Sequence, residues 1–219
     1  MKTILLFLIP ILTFLACSHA EQIELKTEKT EKISNQVEEV VNDTLIIYCD
    51  SIYKSKGYRL TLITSEKSEL FGSENNSSLI FERIENSKKI KLYAENIYCR
   101  NRDIKFIDYN NDKVKDILIQ NSSDVRSNWT YYLYLVNPKT NTLQKIKGFE
   151  EIKNPAYNSN YRIIENYVNS GQNWTEFYGI QGDSVFNYGI TIYDELDEKE
   201  NNKYEYQYKK ALETITSKT

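Results

Sequence analysis

Residues 104–119 read Ile-Lys-Phe-Ile-Asp108-Tyr-Asn110-Asn-Asp112-Lys-Val114-Lys-Asp116-Ile-Leu-Ile, two short apolar runs clamped around a polar loop. The runs are strand-length and rich in β-branched and aromatic residues, so the unit reads as a β-hairpin. Its loop carries an oxygen donor at every second position. Calcium takes six to eight hard oxygens at roughly 2.3–2.6 Å, and side chains 1, 3, 5 and 9 with carbonyl 7 suit such a shell. Asp108, Asn110, Asp112 and Asp116 fill the side-chain positions, and Val114 offers the carbonyl. Position 12 is Ile119 where an EF-hand has its bidentate Glu, and strands flank the loop, so Asp116 must close the shell. Position 6 wants positive φ and usually holds Gly; here it is Lys113. Without an ion, the same residues would form an Asp/Asn-rich turn with solvated carboxylates.

The period of two continues on both sides of the hairpin. Strands are expected near residues 44–49, 58–63, 78–84 and 89–93 before it. After it they are expected near residues 129–136, 143–146, 161–168, 175–180, 185–193 and 203–208. No stretch reads as a long amphipathic helix. The expected fold is therefore mainly β, an antiparallel sheet sandwich or a barrel- or propeller-like single domain over residues 44–219. Eighteen tyrosines suit strands with one buried and one wet face.

The first residues address the chain. Lys2 supplies a positive start, Ile4–Leu15 an apolar core too short to span a bilayer, and Ala16-Cys17 a cleavage site. Residues 1–16 thus read as a signal peptide resembling those of bacterial lipoproteins, with Cys17 carrying the lipid (palmitate among its acyl chains). That implies a cell-envelope protein held on a membrane, with the outer membrane favoured because Ser18 gives no Asp-type retention signal. Residues 17–43 are charged and poor in large apolar side chains, a lipid-bearing tether that is disordered or partly helical near Ile33–Val41. Of three cysteines, Cys49 and Cys99 remain for the domain. In an oxidising compartment they would form a disulfide, or else serve as two small buried hydrophobes.

The only histidine is His19, in the tether, which removes imidazole acid–base chemistry and histidine metal sites from the domain. No nucleophile elbow or phosphate-cradling glycine loop is present. The chain is therefore expected not to be an enzyme. A net charge of −3 with interspersed signs gives no basic stripe for nucleic acid.

The ion loop, followed by Asn128-Trp-Thr-Tyr-Tyr-Leu-Tyr-Leu-Val-Asn-Pro138 and the Phe149–Pro155 turn, resembles the calcium loops of FG-GAP-type β repeats. It also resembles β-rich bacterial lipoproteins that look like periplasmic lysozyme inhibitors or secretion-system immunity proteins. The resemblance implies calcium held by Asp108, Asn110, Asp112, Val114 and Asp116, and inhibition of a lysozyme-type cell-wall hydrolase through a protruding loop. The loop between Asn121 and Asn128 is the expected contact, with Asp124 and Arg126. The alternative is a calcium-stabilised surface module that binds glycan or another envelope protein, with Trp129 and Trp174 as stacking platforms in one groove.

Overall fold

The computed structural model describes residues 42–54, 56–65, 74–194 and 201–217. The expected signal peptide (residues 1–16), Cys17, His19 and nearly all of the expected tether lie outside the described residues. The described elements belong to one compact unit, Glu39–Thr219. Among them no helix is long and apolar enough to cross a membrane.

Three four-stranded antiparallel meanders follow one another along the chain. The first sheet holds β1 (Asn42–Tyr48), β2 (Tyr58–Ser65), β3 (Ser77–Glu85) and β4 (Lys88–Ile97) in that spatial order. The second holds β5 (Ile104–Ile107), β6 (Asp116–Ser123), β7 (Trp129–Asn137) and β8 (Thr142–Lys145). The third holds β9 (Ala156–Asn158), β10 (Ile163–Glu165), β11 (Asn173–Gln181) and β12 (Ser184–Asp194). Every pairing joins chain neighbours, so short turns suffice. Asn86 and Ser87, both at positive φ, make the two-residue turn between β3 and β4 that matches strand twist.

The middle sheet is covered on both faces. Ile117 and Ile119 of β6 with Tyr134 and Val136 of β7 meet Leu60, Leu62, Leu79 and Phe81 of the first sheet. Leu118 and Leu133, on the opposite face, join Ile146, Phe149 and Ile164 towards the third sheet. Successive strand residues point to opposite faces, so a strand buried on both sides reads as an unbroken apolar run, and Ile117-Leu-Ile119 is one. The mainly-β expectation holds, as stacked sheets; among the described residues no closed barrel forms.

One strand expectation is corrected. Residues 203–208 lie in a helix, α1 (Asn201–Thr216), rather than a strand. Ala211, Leu212 and Ile215 pack on Ile163, Phe177 and Ile192, with Tyr204 and Tyr208 beside them. This stripe covers the outer face of the third sheet.

The disulfide is corrected as well. Cys49 and Cys99 are both free and buried. Cys49 follows β1 and Cys99 follows β4, and in a four-strand meander those points fall on opposite edges and opposite ends of the sheet. Three interstrand spacings of about 4.8 Å already exceed the Cα separation of a bridge. The Cys49 thiol faces the Ile47 carbonyl at 3.5 Å and that of Cys99 donates to the Asn101 carbonyl at 2.9 Å. Burial pushes both thiols up to about 11, which leaves them protonated and inert.

Candidate functional site: the β5–β6 loop and the 124–128 turn

β6 carries a candidate site at each end. At its start the chain turns through residues 108–115, hydrogen-bonded largely to itself. One Asp108 carboxylate oxygen accepts the Asn111 N–H at 2.7 Å and the other accepts Lys113 N–H at 2.9 Å. Asp112 accepts Val114 N–H at 2.7 Å and the Asn110 amide at 3.0 Å, while Asn110 Oδ1 accepts Asp112 N–H at 3.0 Å. Asn111 and Lys113 both sit at positive φ, 61° and 69°. The sixth position thus takes the left-handed bend expected of it, at a steric cost that glycine would avoid.

Asp116 is fully buried and anchors this loop to the sheet. Its two oxygens accept the N–H groups of Tyr109 at 2.8 Å and Val136 at 3.1 Å. Burial pushes its carboxyl up to about 7; the two backbone donors oppose the rise, and the negative charges of Asp112 and Asp108 add to it. The Tyr53 hydroxyl, from the β1–β2 turn, donates to the Lys115 carbonyl at 2.8 Å. Val114 packs into the first apolar cluster.

The four expected side-chain ligands and Val114 therefore share one loop, and Asp108 and Asp112 act electrostatically on Asp116. Their carboxylates do not gather tightly. Among the described residues no three His, Cys, Asp or Glu side chains form a group able to hold a metal ion. The donor set nonetheless fits a hard cation in its chemistry, being carboxylate, amide and carbonyl oxygen throughout. Each oxygen engaged by one N–H retains a second lone pair.

At the far end of β6 the chain turns through Asp124–Asn128, around a register shift between Gln120 and Ser123. The Asp124 carboxylate accepts Arg126 N–H at 2.9 Å, Asn128 N–H at 3.1 Å, the Asn128 amide at 2.8 Å and Lys153 Nζ at 3.1 Å. These donors hold its carboxyl well below the usual range, the Asn128 side chain contributing most. Asn128, nearly fully buried, also donates to the Asn169 carbonyl at 2.9 Å and accepts Asn169 N–H at 2.8 Å and the Asn154 amide at 3.0 Å. Asn154 in turn accepts Trp129 N–H at 2.8 Å. Above this network Val125 stands fully exposed (101%) with Arg126 beside it. Sequence reasoning placed Asp124 among the partner contacts, but its oxygens are spent building the turn. It missed Asn128 and Asn154, whose roles depend on the long-range partners Asn169 and Tyr167.

Trp129 is half-buried and, with Lys105, Tyr131, Asn101, Asp103 and Gln120, lines an open cavity of about 460 Å³. Trp174, on β11, is half-buried and lines none of the described cavities, so the two tryptophans do not share a groove there.

No protein-family model matches the chain, and no curated protein sequence matches it. Among solved structures it is similar to a Xanthomonas type IV secretion system related protein, at 13% identity and a TM-score of 0.45, over 74% of this chain and 90% of that one. A likeness this distant carries no argument about function.

Proposed function

We propose that the chain is a lipid-anchored, calcium-stabilised envelope protein that inhibits a lysozyme-type cell-wall hydrolase by presenting the Asp124–Asn128 turn to its cleft. The observation that supports this reading most is the construction of that turn. A tip tied at its base by Asp124, Asn128, Asn154 and Lys153 loses little further freedom on docking, and preorganisation of this kind raises affinity. It presents one apolar side chain and one guanidinium. A glycoside-hydrolase cleft carries a pair of carboxylates flanking the scissile bond, and an arginine is the side chain best shaped to engage a carboxylate through two parallel hydrogen bonds.

Calcium would be held by Asp108, Asn110, Asp112, the Val114 carbonyl and Asp116, and would offset the buried negative charge of Asp116. Its role in this reading is to stiffen the loop from which β6 starts.

The test is inhibition of a panel of lysozyme-type hydrolases by the full chain in detergent micelles, with and without calcium. Inhibition is expected of the wild type, reduced at least tenfold by Arg126→Ala. Asn128→Ala, which leaves the tip residues in place but removes their support, is expected to weaken inhibition too. No inhibition across the panel overturns the reading. A second reading, glycan binding, is favoured by the cavity beside Trp129 and Tyr131 and is tested in the same experiment. Binding of cell-wall oligosaccharides by the chain alone, lost in Trp129→Ala, would select it.

A further inference from the structure

We propose that a lysine-rimmed pocket beside the β5–β6 loop binds a phosphate-bearing ligand of the size of a sugar phosphate or a phosphorylated lipid headgroup. The pocket, of about 340 Å³, lies where the β1–β2 turn, the β5–β6 loop and the β7–β8 turn meet. Lys54, Lys56, Lys113 and Lys139 line it, one or two from each segment, and all four are exposed. Ile52, Tyr53, Val114 and Pro138 supply its apolar lining. Asp112 is the one acid in the wall, and its oxygens are engaged by Val114 and Asn110.

These lysines stand out by their convergence on one cavity. Four others are matched to acids, Lys105 to Asp103, Lys145 to Glu95, Lys147 to Asp183 and Lys153 to Asp124, and Lys88, Lys89, Lys91, Lys115, Lys209 and Lys210 line none of the described cavities. Among the described residues none of the four pocket lysines makes an ion pair, although the chain as a whole is acidic. Four like charges around one small cavity repel one another, and a bound anion converts that repulsion into attraction.

The backbone that carries them is fixed. Lys54 and Lys113 are held at positive φ, 52° and 69°. The Cys49 carbonyl accepts Ile52 and Tyr53 N–H groups, Tyr53 reaches across to Lys115, and Asn137 Oδ1 accepts the N–H groups of Lys139 and Thr140. Lysine ammonium groups act as point charges suited to a tetrahedral oxyanion, where a planar carboxylate is better met by arginine. The apolar lining offers a surface for the body that carries the phosphate. A volume of about 340 Å³ sits at the small end of ligand pockets. This site is separate from the Asp124–Asn128 turn, since the two lie at opposite ends of β6 and β7, about 25 Å apart by strand rise.

The test is titration of the full chain in neutral-detergent micelles and calcium-free buffer. Glycerol phosphate and glucose 1-phosphate serve as soluble probes, and phosphatidylglycerol against phosphatidylcholine in the micelle as lipid probes. Saturable binding of a soluble ester supports a soluble source; a response to phosphatidylglycerol alone supports a headgroup. In either case binding weakens as salt rises and falls at least tenfold in the Lys54→Glu, Lys139→Glu double variant. Lys54→Gln with Lys139→Gln, which adds no negative charge, falls by a smaller factor. Absence of saturable binding by every phosphate probe, or binding unchanged by the double charge reversal in a variant that unfolds at the wild-type temperature, overturns the proposal.

Discussion

Asp116 is the residue on which the loop's behaviour turns. It is the first residue of β6, without exposure to solvent, and it ties the loop to the sheet through Tyr109 and Val136. Its carboxyl titrates near 7 in the calcium-free fold against 3.8 ordinarily. Between those values the folded chain holds a proton that the unfolded chain releases, so stability contributed by the protonated form is full below about pH 3.8 and is lost as pH rises to about 7. The expected fall is a few kcal/mol by the usual conversion of about 1.4 kcal/mol per pKa unit. Chemical denaturation of the calcium-free chain across pH 4–8 measures it. Saturating calcium is expected to flatten the fall, because a cation at the loop favours the ionised carboxylate; an identical slope with and without the ion would remove calcium from the proposal. Asp116→Asn is expected to flatten it also, at a cost of about 1–3 kcal/mol, since an amide offers only one acceptor oxygen to two backbone donors.

Among the elements, α1 shows where local pattern misleads. Tyr204, Tyr206 and Tyr208 alternate with polar residues, which over five positions fits a half-buried strand. Only the continuation through Ala211, Leu212 and Ile215 separates the two periods, for with Tyr204 and Tyr208 it makes one helical stripe, and Tyr206 falls off that stripe at 66% exposure. The helix is then fixed by what it covers. Tyr208 donates to Glu165 at 2.7 Å, the Tyr204 hydroxyl lies 2.9 Å from Thr175 Oγ1, and Leu212 sits among Ile163, Phe177 and Ile192. Leu212→Ala is expected to cost about 2–3 kcal/mol through lost burial and the cavity left behind, with m unchanged in urea unfolding. Tyr206→Ala, on the wet side, is expected to stay within about 0.5 kcal/mol. Equal losses from the two variants would mean that the helix does not pack by this face.

At the scale of the whole molecule, the sheets were legible in the sequence because their turns are local. β-branched and aromatic runs separated by Ser, Asn, Lys and Gly give the first two meanders nearly their observed strands, whereas in the third the short β9 had no run to announce it and β10 spans only part of the expected 161–168. What the chain could not disclose locally is how the meanders stack, which sets the assembly of Asn128 with Asn154 and Asn169 and the convergence of lysines from three separate turns. The stacking has its own consequence. Among the described residues the first sheet and the third share no apolar cluster, and each buries its inner face on the middle sheet. Opening either outer layer leaves the middle sheet covered on one side; opening the middle sheet uncovers both. Local opening should therefore be graded, with amides of β6 and β7 released only by global unfolding and those of the edge strand β1 released earlier. β1 is also where large side chains stand in water, Ile46 at 44% and Tyr48 at 63% exposure. Native-state hydrogen exchange reads this directly: Leu118 and Leu133 amides are expected to exchange at the global free energy. Ile46 and Tyr48, at the margin of the first sheet, should exchange at least tenfold faster than those central amides. If β1 amides are instead as protected as those of β6, the three sheets open as one unit and the layered account of stability fails.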